Sequence, residues 1–112
     1  MSDDLVSIVQ ELRDINKRLS NCYKEMWTKS KEYSKAEQEY KVALQKRIME
    51  LKAEGMSVTL IPDLARGTEQ VAELKFQRDL NERLYDTSKE AIRSLRTIAS
   101  VYQSILRQQD EI

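Results

Sequence analysis

The side chains of this sequence that could do chemistry are one cysteine, Cys22, and many carboxylates and amines, with no histidine. Without histidine the chain can form no His-based metal site, proton relay or Ser-His-Asp triad. Cys22 falls at an apolar position of a periodic segment, which favours a packed side chain over a reactive thiol. The sequence therefore predicts a protein that is not an enzyme and that binds no cofactor or metal.

Paired carboxylates are the next candidates, because two neighbouring acids can share general acid–base work. Glu37 with Glu39, and Glu69 with Glu73, stand among lysines and arginines at helical spacing. Acids in such surroundings form ion pairs along a helix or a solvated helix face. We interpret these carboxylates as surface residues.

Lysines, arginines and tyrosines could together hold a single-stranded nucleic acid, because cations contact phosphates and aromatic rings stack on bases. However, 19 basic residues are balanced by 19 acidic ones, so no net charge favours a polyanion. An ordinary solvated helix face is the alternative interpretation. The candidate nucleic-acid face consists of Lys31, Lys35, Tyr40, Lys41, Arg93 and Arg96.

Long helices must position these side chains. Apolar residues recur at alternating steps of three and four from Leu5 to Met26, which is the seam of a coiled coil. Lys29 and Ser88 interrupt the seam, either as a device that fixes its register or as a polar pocket. The later seam of the second helix is predicted at Ala91, Leu95, Ile98, Tyr102 and Ile105.

Both glycines and the only proline lie in one stretch, LKAEGMSVTLIPDLARGTEQ. Gly55 can end the first helix in a Schellman motif, with Met56 placed against Leu51. We expect helix 1 over about residues 3–54, a turn over about 55–59 and helix 2 over about 60–109. Ser2 and Thr59 are the expected caps of the two helices, and Pro62 fits the first turn of the second.

Gly67 could break the second helix before Thr68, or lie within it. We expect a continuous helix, because one internal glycine costs only about 1 kcal/mol.

The two helices predict an all-α fold: a long antiparallel hairpin forming a single domain over residues 1–112. A two-helix hairpin buries little apolar area, so we expect two hairpins to pair as a four-helix bundle dimer. The alternative is partial burial of apolar residues beside the seam. The candidate self-association residues are Val6, Val9, Tyr23, Trp27, Val101 and Leu106.

Apolar residues also gather at the turn, where a hairpin offers least core to cover them. Exposed apolar residues on a rigid turn often mark a contact site. The alternative is that they fold back on Leu51, Ile48 and Met49 as a plug. The candidate partner-binding residues are Met56, Val58, Leu60, Ile61 and Leu64.

The sequence has no pattern typical of a membrane-spanning or secreted protein. No apolar run approaches the roughly 20 residues that span a bilayer, and the N-terminus does not resemble a signal peptide. One cysteine cannot form an internal disulfide. We therefore expect a cytoplasmic protein without membrane contact.

Three segments resemble a group of small helical proteins encoded by temperate phages and prophages of Gram-positive bacteria. They are GMSVTLIPDLARGTEQVAEL, RDLNERLYDTSKEAIRSLR and YQSILR. The resemblance implies phage origin and action inside the bacterial host cell, and it carries no catalytic activity. Our hypothesis is a coiled-coil interaction protein that binds a phage or host protein. The alternative is an accessory of phage DNA replication or recombination that binds single-stranded nucleic acid.

Overall fold

The computed structural model describes residues 3–110, which form three helices and, within that range, no strand. Helix α1 covers Asp3–Ala53, α2 covers Ile61–Gly67 and α3 covers Glu69–Asp110. The predicted all-α class is confirmed. The proposed cap Ser2 lies outside the described residues.

The end of α1 is a Schellman motif, as predicted. Gly55 has a φ of 81°, in the left-handed region that favours glycine. Its N–H donates to the Lys52 carbonyl at 3.1 Å, and the Met56 N–H donates to the Leu51 carbonyl at 3.1 Å. These two bonds satisfy carbonyls that the helix end would otherwise leave without partners.

The start of α2 differs from the prediction, because Thr59 does not cap it. Leu60 is the N-cap, and no side chain bonds to the first turn. Instead the Ser57 carbonyl accepts from the N–H groups of Leu60 and Ile61 at 3.0 and 3.2 Å. Pro62 lies in the first turn of α2, where its missing N–H costs no helical hydrogen bond.

The expected continuous second helix is also wrong, because α2 ends at Gly67 and α3 begins at Glu69. Between them Thr68 is extended, with φ −63° and ψ 132°. Its hydroxyl donates to the Leu64 carbonyl at 3.0 Å and accepts from Arg47 Nε at 3.1 Å. Its carbonyl accepts from the Ala72 N–H at 2.8 Å. One threonine therefore joins the end of α2, the start of α3 and α1.

The described residues pack as two units. Unit 1 comprises residues 3–28 and 86–110, and its core consists of Ile15, Leu95 and Ala99. Unit 2 comprises residues 29–85 and includes the turn.

Within unit 2, α1 and α3 run in opposite directions. Tyr33 stacks on Tyr85 with ring centroids 6.2 Å apart, and the Arg78 guanidinium lies 4.7 Å from the centre of the Tyr40 ring. The partner number on α3 falls as the number on α1 rises, which is the order of an antiparallel pair.

The inward side of α3 in unit 1 includes Leu95 and Tyr102 of the predicted seam but differs by one residue at the other positions. Ile92 and Ala99 are buried, whereas Ala91 is exposed and Ile98 is 44% exposed. The error arises because α3 carries two apolar stripes that share Leu95 and Tyr102 and differ by one residue at the positions between them. Packing against α1 buries the stripe that includes Ile92 and Ala99.

Candidate functional site

Four apolar side chains are exposed at the turn, and we call them the tip surface: Met56, Val58, Leu60 and Leu64. Val58 is the most open of them, at 78% exposure. The backbone around it is fixed by the Schellman bonds before it and by the Ser57 carbonyl after it. The tip surface thus combines apolar side chains with a fixed backbone.

Ile61, the fifth predicted partner-binding residue, is not part of this surface. It is 3% exposed and packs in one cluster with Leu51 and Ala65. Leu44 and Ile48 of α1 contact the same cluster. Ile61 therefore belongs to the plug that was the alternative interpretation. Met49 does not join this plug, because it is 68% exposed.

The six self-association candidates of unit 1 do not form one surface. Successive residues of a helix are rotated by about 100°, so residues before and after an inward position lie on opposite sides. The inward positions are buried or half-buried. They are Leu5, Ile8, Leu12, Ile15, Leu19, Cys22 and Met26 on α1, and Ser88, Ile92, Leu95, Ala99, Tyr102 and Leu106 on α3.

We call the residues that directly follow an inward position flank A, and those that directly precede one flank B. Val6, Val9, Tyr23 and Trp27 belong to flank A, and Val101 belongs to flank B. Leu106 is itself inward and half-buried.

Flank A contains a groove of about 480 Å³ in which α1 and α3 meet. Tyr23 of α1 lines it opposite Arg93 and Arg96 of α3, so flank A of both helices lies on one side of unit 1. Trp27 follows Tyr23 by one helical turn and is 66% exposed. The remaining lining residues are Met26, Lys89, Ile92, Thr97 and Ser100.

Two cations of this groove have acidic partners on their own helix. Lys89 Nζ lies 3.2 Å from Asp86 Oδ1, and Arg93 pairs with Glu90. The ion pairs of the described residues do not include one of Arg96. The groove therefore offers an aromatic wall beside cations that are only partly neutralised.

The predicted nucleic-acid face is divided. Arg93 and Arg96 border the groove of unit 1, whereas the remaining four residues belong to unit 2. Tyr40 is 5% exposed and one face of its ring is covered by Arg78, so it cannot stack on a base. Lys41 lies 3.3 Å from Glu37, while Lys31 and Lys35 are exposed.

The contact between Arg78 and Tyr40 was missed in the sequence. Arg78 also donates to Asp79 Oδ1 at 2.8 Å, and Lys75 donates to Asp79 Oδ2 at 3.2 Å. These two hydrogen bonds hold the pKa of Asp79 below its ordinary value of 3.8, and the bond from Arg78 has the larger effect. The bond to Asp79 also raises the pKa of Arg78. No local sequence signal predicts the contact, because it joins residues far apart in the chain.

Three further residues lie at predicted seam positions of the two units. Lys29 is half-buried and pairs with Glu32 at 3.5 Å, whereas Ser88 is buried. Cys22 is half-buried and packs against the Ile15 cluster of unit 1.

Nowhere in the described part of the chain do three cysteine or carboxylate side chains gather so that they could hold a metal ion. Within residues 3–110 no helix combines the length and the apolarity that crossing a bilayer requires. Comparison of the chain with protein-family models, curated proteins and solved structures found no match.

Proposed function

We propose that this chain is a non-enzymatic interaction protein of phage origin, which acts in the cytoplasm of the bacterial host as a long antiparallel helical hairpin. Its tip surface binds a phage or host protein. The observation that carries the proposal is the exposure of Met56, Val58, Leu60 and Leu64 on a turn with a fixed backbone.

A cluster of exposed apolar residues usually lowers solubility, and in soluble proteins such clusters commonly mark interaction sites. Burial of Ile61 and Ala65 on Leu51 forms the core cluster near the turn, and no residue of the tip surface is among its buried or half-buried members. A turn held by backbone hydrogen bonds loses little conformational freedom on binding, which favours association. These properties suit a docking surface.

The test is capture of partners from lysogenic cells by the wild-type chain and by a variant with Val58→Asp and Leu60→Asp. We expect the variant to lose the captured protein while its circular dichroism stays that of the wild type. Val42→Asp is the matched control, because Val42 is also largely exposed but lies on α1 away from the turn sequence. Equal capture by all three proteins would contradict docking at the tip.

Copies of the chain also associate through unit 1 in this proposal, with pairs of helices meeting as a four-helix bundle. Support comes from the large exposed residues Val6, Tyr23, Trp27 and Val101. Sedimentation equilibrium at about 100 μM, where even a weak micromolar complex would form, tests this. A monomer at that concentration would contradict self-association.

A second candidate function is binding of single-stranded nucleic acid during phage replication or recombination. The observation that favours it is the groove of flank A, where Tyr23 and Trp27 lie beside Arg93 and Arg96. Titration with oligothymidylate at about 50 and 200 mM salt should then show affinity that falls steeply with salt. Absence of binding at the lower salt would eliminate this function.

A further inference from the structure

The exposed and half-buried apolar residues of unit 1 are divided between the flanks according to helix. On flank A they belong to α1 alone: Val6, Val9, Tyr23 and Trp27. On flank B they belong to α3 alone: Ala91, Ile98, Val101 and Ile105. On each flank the apolar residues therefore lie on one helix, and the other helix contributes only polar ones. On flank A the polar residues Arg13, Asn16 and Ser20 separate Val9 from Tyr23.

The polar halves of the two flanks carry opposite charge. Flank A holds five cations, four of them on α3, and no acid: Arg13, Lys89, Arg93, Arg96 and Arg107. Lys89 and Arg93 have acidic partners, Asp86 and Glu90, outside the flank on their own helix. Flank B holds four acids and one cation, all on α1: Asp4, Glu11, Asp14 and Glu25, against Arg18. The charges of flank A are therefore complementary to those of flank B.

Two like flanks cannot meet without a mismatch. If α1 of one copy lies on α1 of another through flank A, the apolar stripes match but cations of α3 face cations. If α1 lies on α3 instead, Trp27 and Tyr23 face the cationic side. Two copies of flank B meet the same two problems: either acids of one copy face acids of the other, or apolar residues of α3 face acids of α1. Like charges across an interface are unfavourable, which disfavours the first arrangement. The second places charged groups against apolar side chains, where the charges lose water without gaining an ionic partner.

We propose that copies of this chain associate through unlike flanks, with flank A of one copy seated on flank B of the next. In this arrangement α1 of one copy lies on α3 of its neighbour. Trp27 and Tyr23 then meet the stripe that contains Ile98 and Val101, while the α3 cations meet the α1 acids. The inference rests on the self-association part of the proposed function and names its geometry.

An unlike-flank contact has a consequence that a two-fold dimer lacks. Each added copy leaves one flank A and one flank B free at the ends, so association continues unless the assembly closes into a ring. The assembly should therefore grow beyond a dimer as the concentration rises.

The experiment uses two full-length variants that each lose one flank. Tyr23→Glu with Trp27→Glu removes the apolar half of flank A, and Ile98→Glu with Val101→Glu removes that of flank B. All four side chains are at least 44% exposed, so helix content should be retained. The control is Val42→Glu with Met49→Glu, two exposed residues of α1 in unit 2.

Sedimentation velocity is recorded at about 100 μM for each protein alone and for an equimolar mixture of the two flank variants. We expect the wild type and the control to grow beyond dimers, and each flank variant to be a monomer. The mixture should form a one-to-one complex and nothing larger, because it contains one intact flank of each kind.

Other outcomes overturn the inference in recognisable ways. If one flank variant stays dimeric while the other is a monomer, the contact is a closed dimer between like flanks, and self-association itself survives. A wild type that is monomeric defeats self-association as well. If that monomer binds oligothymidylate and the flank A variant does not, flank A holds nucleic acid instead of a second copy.

Discussion

Near the turn of unit 2, the chain covers its own apolar core. Ile61 and Ala65 of α2 pack on Leu51 of α1, and all three are at most 3% exposed. Unit 1 has no corresponding third helix, and there Trp27 is 66% and Val101 54% exposed. Two packed helices leave their sides open. One region thus closes its core with a short helix of its own, and the other leaves apolar flanks that a further molecule could cover.

The largest expected effect on stability comes from truncating a buried side chain in the core cluster near the turn. Ile61→Ala should lower the free energy of unfolding by about 2–4 kcal/mol, because it removes buried methylene and methyl groups and leaves a cavity. Val58→Ala, three residues earlier and 78% exposed, should change it by less than about 0.5 kcal/mol. Urea unfolding measures both.

Similar losses from the two substitutions would mean that the turn has no distinct plug. Neither substitution should alter the proposed self-association, which we assign to unit 1. If Ile61→Ala left the free energy of unfolding unchanged but abolished association, the contrast between the two units would be wrong.

The two glycines should respond in opposite directions. Gly55→Ala should destabilise the chain by about 1 kcal/mol, because an L side chain is strained at its left-handed φ of 81°. Gly67 lies in a right-handed helix, and a Cβ there would meet no atom within 4 Å. Gly67→Ala should therefore be neutral or stabilise by up to about 1 kcal/mol, through lower entropy of the unfolded chain.

Thermal unfolding of the two variants tests this pair. The space around both glycines is open, so any difference reflects the backbone alone. Equal destabilisation would indicate that Gly67 is required for the break before Thr68.

The smallest expected effect concerns Asp79 in unit 2. Its pKa is lowered by hydrogen bonds from Arg78 and Lys75, so its contribution to stability is present above the ordinary value of 3.8. That contribution is lost as the pH falls through the lowered pKa of the folded state. The small advantage of the wild type over Asp79→Asn at pH 7 should therefore shrink towards about pH 2.

Urea midpoints at the two pH values measure the difference. Asp63→Asn is the control, because its pairing with Arg66 at 3.3 Å involves a carboxylate that is 89% exposed. An advantage over Asp79→Asn that grows in acid would contradict the assignment.

The sequence was informative where the type of a residue restricts the backbone conformation at its position. Gly55 and Met56 specified the end of α1, and the spacing of Leu5 to Met26 specified its inward side. The break at Thr68 was missed, because glycine inside a helix is only mildly unfavourable and the contact with Arg47 comes from elsewhere in the chain.

The candidate surfaces were predicted less completely. Ile61 could not be separated from Leu60 and Val58 by composition, since all are apolar and adjacent, and only packing on Leu51 buries it. On α3, two apolar stripes share Leu95 and Tyr102 and have the same alternating spacing, so periodicity could not show that Ile98 belongs outside. The two flanks therefore became visible only when the inward positions were known.

Hydrogen exchange measured at two protein concentrations tests the contrast between the units most directly. Between about 1 and 100 μM, amide exchange in residues 5–28 and 86–105 should slow, because association stabilises unit 1. Exchange around Leu51, Ile61 and Ala65 should not change, because the chain covers that region itself. Exchange that is independent of concentration throughout, or that slows only at the turn, would contradict the account.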